Sequence, residues 1–127
     1  MPEERKSISE ILIVDDDPDV ADMLCQFCED EGCPADKAYD GVRAIELYER
    51  NGYHIIVTDG RMPRLDGLGV LRKVRQSEHG HDVKVILISG TECDAWHNCG
   101  FDECIRKPTE LSKFYACIRK YCKCSGQ

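Results

Sequence analysis

The chain has 127 residues, 42% hydrophobic and 32% charged, a length that suits one compact domain with a single core. Its formal charge of −7 excludes non-specific attraction to phosphate backbones, which needs clustered Lys and Arg, so no direct nucleic-acid binding is expected. The longest apolar stretches, Ile11 to Val14 and Val85 to Ile88, fall far short of the ~20 residues of a membrane span, and the opening "MPEERKSISE" lacks the apolar run of a secretory signal, so no membrane contact and a cytoplasmic location are expected.

The first predicted element is "ILIV" at 11–14, a β-branched run read as a strand. Asp15, Asp16 and Asp17 follow it, then Pro18 and Asp19. Asp17 as N-cap and Pro18 at the first helical position open a helix whose dipole Asp19 complements. Val20, Met23, Leu24 and Phe27 are read as its buried stripe. A weaker strand is predicted near Ala35 to Tyr39, at a sheet edge because the neighbouring Pro34 has no N–H to offer. Val42, Ile45 and Tyr48 mark a second helix. "HIIVTD" at 54–59 is a strand ending on Asp59, and Met62, Pro63 and Gly67 shape the turn into a third helix marked by Leu68, Leu71 and Val74. "HGH" at 79–81 reads as a solvated loop before the strand "VKVILIS" at 83–89, while His54 and His97 stand alone. The segment "GTECDAWHNCG" has little apolar period, so the fourth helix is expected to be short or irregular. A short strand near Asp102 to Arg106 and a helix marked by Leu111, Phe114, Ile118 and Tyr121 complete the chain. Apolar runs with little alternation suit an open α/β architecture, a doubly wound five-stranded parallel sheet flanked by five helices.

In open parallel sheets ligands collect outside the carboxyl ends of the strands. On that rule Asp15 and Asp16 after the first strand, Asp59 at the end of the third, Ser89 at the end of the fourth and Lys107 after the fifth share one rim. Two carboxylates about 4 Å apart at an effective dielectric near 20 oppose each other by roughly 4 kcal/mol. A cluster of three therefore calls for a cation, and hard oxygen donors with room for water suit Mg²⁺, with Mn²⁺ as a substitute. Beside such an ion Asp59 is placed to attack phosphorus in line while Ser89 and Lys107 hold the transferred oxygens, giving an aspartyl phosphate. Taken singly, each aspartate reads as a turn former and Ser89 as a small residue at a strand end; the set at one rim carries the functional reading.

With "ILIVDD" (11–16), "DGVRAIEL" (40–47), "VTDGRMPRLDGLGVL" (57–71), "VILISG" (85–90) and "RKP" (106–108), the chain resembles the CheY-like receiver domains of two-component response regulators over nearly its whole length. The resemblance implies a flavodoxin-like sheet of strand order 2-1-3-4-5 in a single receiver domain, with its core at about 9–122. It implies Asp59 as phosphoacceptor, Asp15 and Asp16 as the acidic pair, and the backbone carbonyl of Arg61 as a further Mg²⁺ ligand. Ser89 takes the switch hydroxyl position, Lys107 that of the phosphate-binding lysine, and Lys107–Pro108 that of a cis peptide. The implied donor is a phosphohistidine on a sensor histidine kinase or histidine phosphotransfer protein; the downstream protein stays open. Arg61 and Thr91, each two places beyond Asp59 and Ser89, flank the pocket and are candidates to screen attacking water.

The sequence departs from the family pattern at Cys104, which stands where relatives carry the switch aromatic. A thiol cannot sweep a ring between two positions, so loop repacking is the expected substitute. The interval from Ser89 to Lys107 is about one helical turn shorter than in most relatives, which leaves partner contacts and a weak homodimer open. Nine cysteines is an odd count in a chain without an export signal, so disulfides are not expected. Cys25-x-x-Cys28 lies within a predicted helix, Cys122 and Cys124 are close in sequence, and Cys93, Cys99 and Cys104 fall in the irregular segment. They leave a thiol-based redox or metal sensor as the alternative function, although free cysteine packs as a small hydrophobe and no second pair stands at zinc spacing. A non-switching interaction module that keeps the pocket is the other alternative.

Overall fold

The computed structural model describes residues 9–90, 92–108 and 110–122; Thr91, Cys124 and the rest of the C-terminal tail lie outside the described residues. Five strands, β1 (Ile11–Val14), β2 (Ala35–Ala38), β3 (Ile55–Asp59), β4 (Lys84–Ser89) and β5 (Glu103–Arg106), form one all-parallel sheet of order β2-β1-β3-β4-β5. The helices are α1 (Pro18–Asp30), α2 (Gly41–Asn51), α3 (Gly67–Gln76), α4 (Glu92–Ala95) and α5 (Leu111–Tyr121), with a 3₁₀ turn at Gly80–Asp82. This is the doubly wound topology expected, including the four-residue α4 and the edge position of β2.

Alternation along the central strands divides the interior into two layers. Ile11, Ile13, Ile55, Val57, Ile86 and Ile88 pack with Leu24 of α1 and Phe114 and Ile118 of α5. Leu12, Val14, Ile56 and Val85 pack on the other face with Ala44 and Tyr48 of α2 and Val70, Leu71 and Val74 of α3. β1 and β3 are buried along their whole length, which is why they read as unbroken apolar runs.

The helical stripes differ from expectation by a small rotation. Met23, Val42 and Leu111 are 41%, 36% and 43% exposed. The buried positions are Ala21, Leu24, Cys25 and Cys28 in α1, Gly41, Ala44 and Tyr48 in α2, and Phe114, Cys117 and Ile118 in α5. Small side chains at the contact let a helix approach the sheet closely, and a reading by large apolar residues alone passes over them.

The expectation of no disulfides is corrected. Cys33 after α1 is joined to Cys122 at the end of α5 across 89 residues of sequence, and Cys93 of α4 is joined to Cys104 of β5 across 11. The compartment argument concerns redox poise and says nothing about which sulfurs the fold brings together. Cys25, Cys28 and Cys117 are free and buried, and Cys99 is free and exposed. Burial pushes the Cys25 thiol up to about 11 and the Cys28 thiol up to about 12, far from a reactive thiolate.

A four-residue helix cannot fill its side of the sheet, and Arg75 of α3 ties down the segment beyond it. Its guanidinium donates to the carbonyls of Gly80 at 2.6 Å, Val83 at 2.8 Å and Gly100 at 3.3 Å and to the Asp102 carboxylate at 3.0 Å. Asp102 in turn accepts the Val85 N–H at 2.8 Å, fixing the start of β5 against β4. Among the described residues no helix is long and apolar enough to cross a membrane.

Candidate functional site

The site is assembled by backbone that leaves the sheet at its carboxyl rim. Asp15 follows β1, with its N–H on the Ala38 carbonyl at 3.1 Å and its Oδ1 accepting the Asp17 N–H at 2.9 Å. Asp17 caps α1 by accepting the Asp19 N–H at 3.0 Å, with Pro18 at the first helical position. Asp59 ends β3, and its Oδ1 accepts the Gly60 N–H at 2.8 Å. Asp66 caps α3, and Gly67 N–H donates to the Gly60 carbonyl at 2.8 Å, so the loop between β3 and α3 folds back over Asp59. A Cβ at Gly67 would run into the Asp59 carbonyl, so only glycine allows that approach. Lys107 follows β5, is held by its N–H on the Ser89 carbonyl at 2.9 Å, and precedes the cis Lys107–Pro108 bond.

Asp15, Asp16 and Asp59 offer carboxylate oxygens that all lie within 4.8 Å of one another, with Asp15 and Asp59 buried and Asp16 exposed. Among the described residues one cation enters the cluster: Lys107 Nζ is 2.9 Å from Asp59 Oδ1 and 3.9 Å from Asp15 Oδ2. Burial, with repulsion from Asp59 and Asp16, raises the Asp15 carboxyl to about 6 against the Asp17 N–H and the Lys107 charge. Asp59 is also raised, by burial first, although Lys107 opposes the shift. Burial alone would lower the Lys107 ammonium, but the Asp59 hydrogen bond and the surrounding carboxylates outweigh it and hold it charged. Three acids share one ammonium, an excess of negative charge that a hard divalent cation fits.

The remaining residues of interest lie beside this cluster. Ser89 is buried at the end of β4, and Arg61 lies two residues past Asp59 with an exposed side chain. Both reach Glu92, a residue the sequence reading passed over. Ser89 Oγ donates to Glu92 Oε1 and Arg61 Nε to Glu92 Oε2, and these two bonds hold the Glu92 carboxyl down at about 2. The available signal was Ser89-x-x-Glu92 at a helix start, the spacing of a capping box. Cys104 lies in β5, bonded to Cys93 rather than free to move at the site. Next to Lys107 an apolar groove lined by Val20, Met23, Phe27, Pro108 and Leu111 opens to solvent, which accounts for the exposure of Met23 and Leu111.

An open doubly wound sheet with an acidic cluster after its first and third strands and a lysine after its fifth is the architecture of CheY-like receivers, a class of signalling switch. The profile of the response regulator receiver domain matches residues 11–119, and the chain belongs to that family. It is 31% identical over 117 residues to an uncharacterized 14.6 kDa protein of Leptolyngbya boryana, covering 89% of each chain. It is 34% identical over 113 residues to the response regulator MprA of Mycobacterium sp. (strain KMS), covering 86% of this chain but 48% of that protein, so it spans about half the length of that relative. Among solved structures it is similar to the receiver domain of the sensor histidine kinase PA1611 from Pseudomonas aeruginosa PAO1, with a TM-score of 0.79, 26% identity and coverage of 91% and 98% of the two chains. That receiver was solved with a magnesium ion coordinated in its active-site cleft.

Proposed function

We propose that this chain accepts a phosphoryl group on Asp59 in a Mg²⁺-dependent reaction and signals through a change at its surface, acting as a switch that catalyses only its own phosphorylation and dephosphorylation. The observation that carries the reading is the convergence of Asp15, Asp16 and Asp59 within 4.8 Å, with Lys107 Nζ 2.9 Å from the Asp59 carboxylate, on a receiver fold. Asp15, Asp16 and Asp59 would hold Mg²⁺, with the Arg61 backbone carbonyl as a further ligand, and the magnesium-bearing Pseudomonas receiver supports this fit. When bound, the ion supplies charge neutralisation for the phosphoryl oxygens.

The chain's own residues account for the rest. Gly60 N–H and Lys107 both hold Asp59 Oδ1, so Oδ2 is the attacking atom. As Oδ2 bonds to phosphorus, the phosphorus–nitrogen bond to a donor phosphohistidine breaks; the imidazole leaves with the electron pair and takes up a proton. The Lys107 ammonium and the Ser89 hydroxyl then bind the phosphoryl oxygens. The donor is a sensor histidine kinase or a histidine phosphotransfer protein in the cytoplasm, and the apolar groove beside Lys107 is the surface over which it must deliver the group. Intact-mass spectrometry after incubation with acetyl phosphate tests the reading. One phosphoryl adduct that needs Mg²⁺ and is absent from Asp59→Asn is expected; an adduct that persists in that variant counts against it.

A further inference from the structure

Glu92 is a fourth acid at the rim, outside the cluster of three. Its side chain is only 9% exposed, and a carboxylate so enclosed requires bonded partners for its charge. Both oxygens have one: Oε1 accepts from Ser89 Oγ, and Oε2 accepts from Nε of Arg61, whose side chain is otherwise 84% exposed. A serine hydroxyl has a single hydrogen to donate. While that hydrogen lies on Glu92 it cannot be given to a phosphoryl oxygen, so the two acceptors compete. The competition takes place one residue from Asp59. A Cβ at Gly60 would sit 2.5 Å from Ser89 Oγ and 3.4 Å from Glu92 Cβ, while the Gly60 N–H bonds the Asp59 carboxylate.

We propose that Glu92 is a positioning residue that holds Ser89 and Arg61 in the resting state and surrenders both when a phosphoryl group arrives on Asp59. The incoming dianion repels the Glu92 carboxylate and offers the hydroxyl and the guanidinium a more highly charged acceptor. Glu92 is the first residue of α4, and its neighbour Cys93 is bonded to Cys104 of β5. Its release therefore frees the start of α4 while the bridge holds the next residue to β5, giving this chain a switch without an aromatic ring at position 104. The inference rests on the receiver reading of the site and names the group through which that site is regulated.

Beryllofluoride, a phosphoryl analogue, tests it by titration with Mg²⁺ into the full chain and its variants. Glu92→Gln removes the charged competitor and is expected to tighten beryllofluoride binding about three- to tenfold, the scale of one charge-assisted against one neutral hydrogen bond. The gain is expected to be smaller in a Ser89→Ala background, where only the release of Arg61 remains, and a plain charge effect or a packing role would not produce that difference. Unchanged or weaker binding by a folded Glu92→Gln protein, or an equal gain without Ser89, overturns the inference. In the unaltered protein the Arg61 Nε–H resonance is expected to shift when beryllofluoride is added, and an unmoved resonance likewise overturns it. Wild-type protein that takes up no beryllofluoride overturns the proposed phosphoacceptor function and this inference with it; uptake without these effects overturns the inference alone.

Discussion

Asp15 shows how a single residue is set by its neighbours. Burial and two nearby acids raise its carboxyl to about 6, above the ordinary 3.8. A carboxyl whose folded value lies above its unfolded one favours the fold while protonated, so that contribution is fully present below 3.8 and lost as pH rises through about 6. Metal-free protein is expected to lose thermal stability across that interval, and Asp15→Asn to flatten the loss. Mg²⁺ binds the ionised form, so the rise in Tm on adding it is expected to grow from about pH 5 to about pH 7.5. Melting curves with the same slope in wild type and Asp15→Asn would contradict this. The site residues that announced themselves in the sequence are those whose charge conflicts with their surroundings: adjacent aspartates after an apolar run have no cheap structural explanation. Glu92 stayed hidden because a single acid at a helix start has one.

At the scale of the element, α4 is the informative case. One turn of helix closes too few hydrogen bonds to stand alone, so its place depends on what holds its ends. The Cys93–Cys104 bridge anchors it to β5, Trp96 stacks on Phe101 with ring centroids 6.3 Å apart, and just beyond it Arg75 binds the Gly100 carbonyl and Asp102, tying them to the carbonyls of Gly80 and Val83. Arg75→Ala strips these carbonyls of a charged donor and is expected to lower the unfolding free energy by about 2–3 kcal/mol in a urea titration. A loss under about 0.5 kcal/mol would show that water replaces the guanidinium without cost. The shortness of α4 was legible because "GTECDAWHNCG" lacks apolar period, and the strands were legible because β-branched runs have few other uses. The faces of α1, α2 and α5 were less so: Met23, Val42 and Leu111 look like core by type, while Ala21, Ala44 and Cys117 do the packing. Met23 and Leu111 are large and exposed because they line the groove beside Lys107.

Over the whole molecule, the sheet order and the meeting of distant carboxylates followed from general rules of parallel sheets, which need no knowledge of particular contacts. The pairing of Cys33 with Cys122 did not, because it depends on where the end of α5 lies against the loop after α1, at opposite ends of the chain. A crosslink closing a loop of 89 residues restricts the unfolded chain severely, so the double variant Cys33→Ser, Cys122→Ser is expected to unfold about 2–4 kcal/mol more easily. Identical midpoints for wild type with and without reductant would contradict a formed bridge. The proposed switch depends on Asp59, among all the acids of this chain, carrying the phosphoryl group. It is tested most directly by transferring phosphoryl from a phosphohistidine protein, trapping the product with borohydride, and locating the reduced residue by tandem mass spectrometry. Reduction of the acyl phosphate to homoserine at position 59 alone is expected; reduction at Asp15, Asp16 or Glu92, or none anywhere, would overturn the assignment.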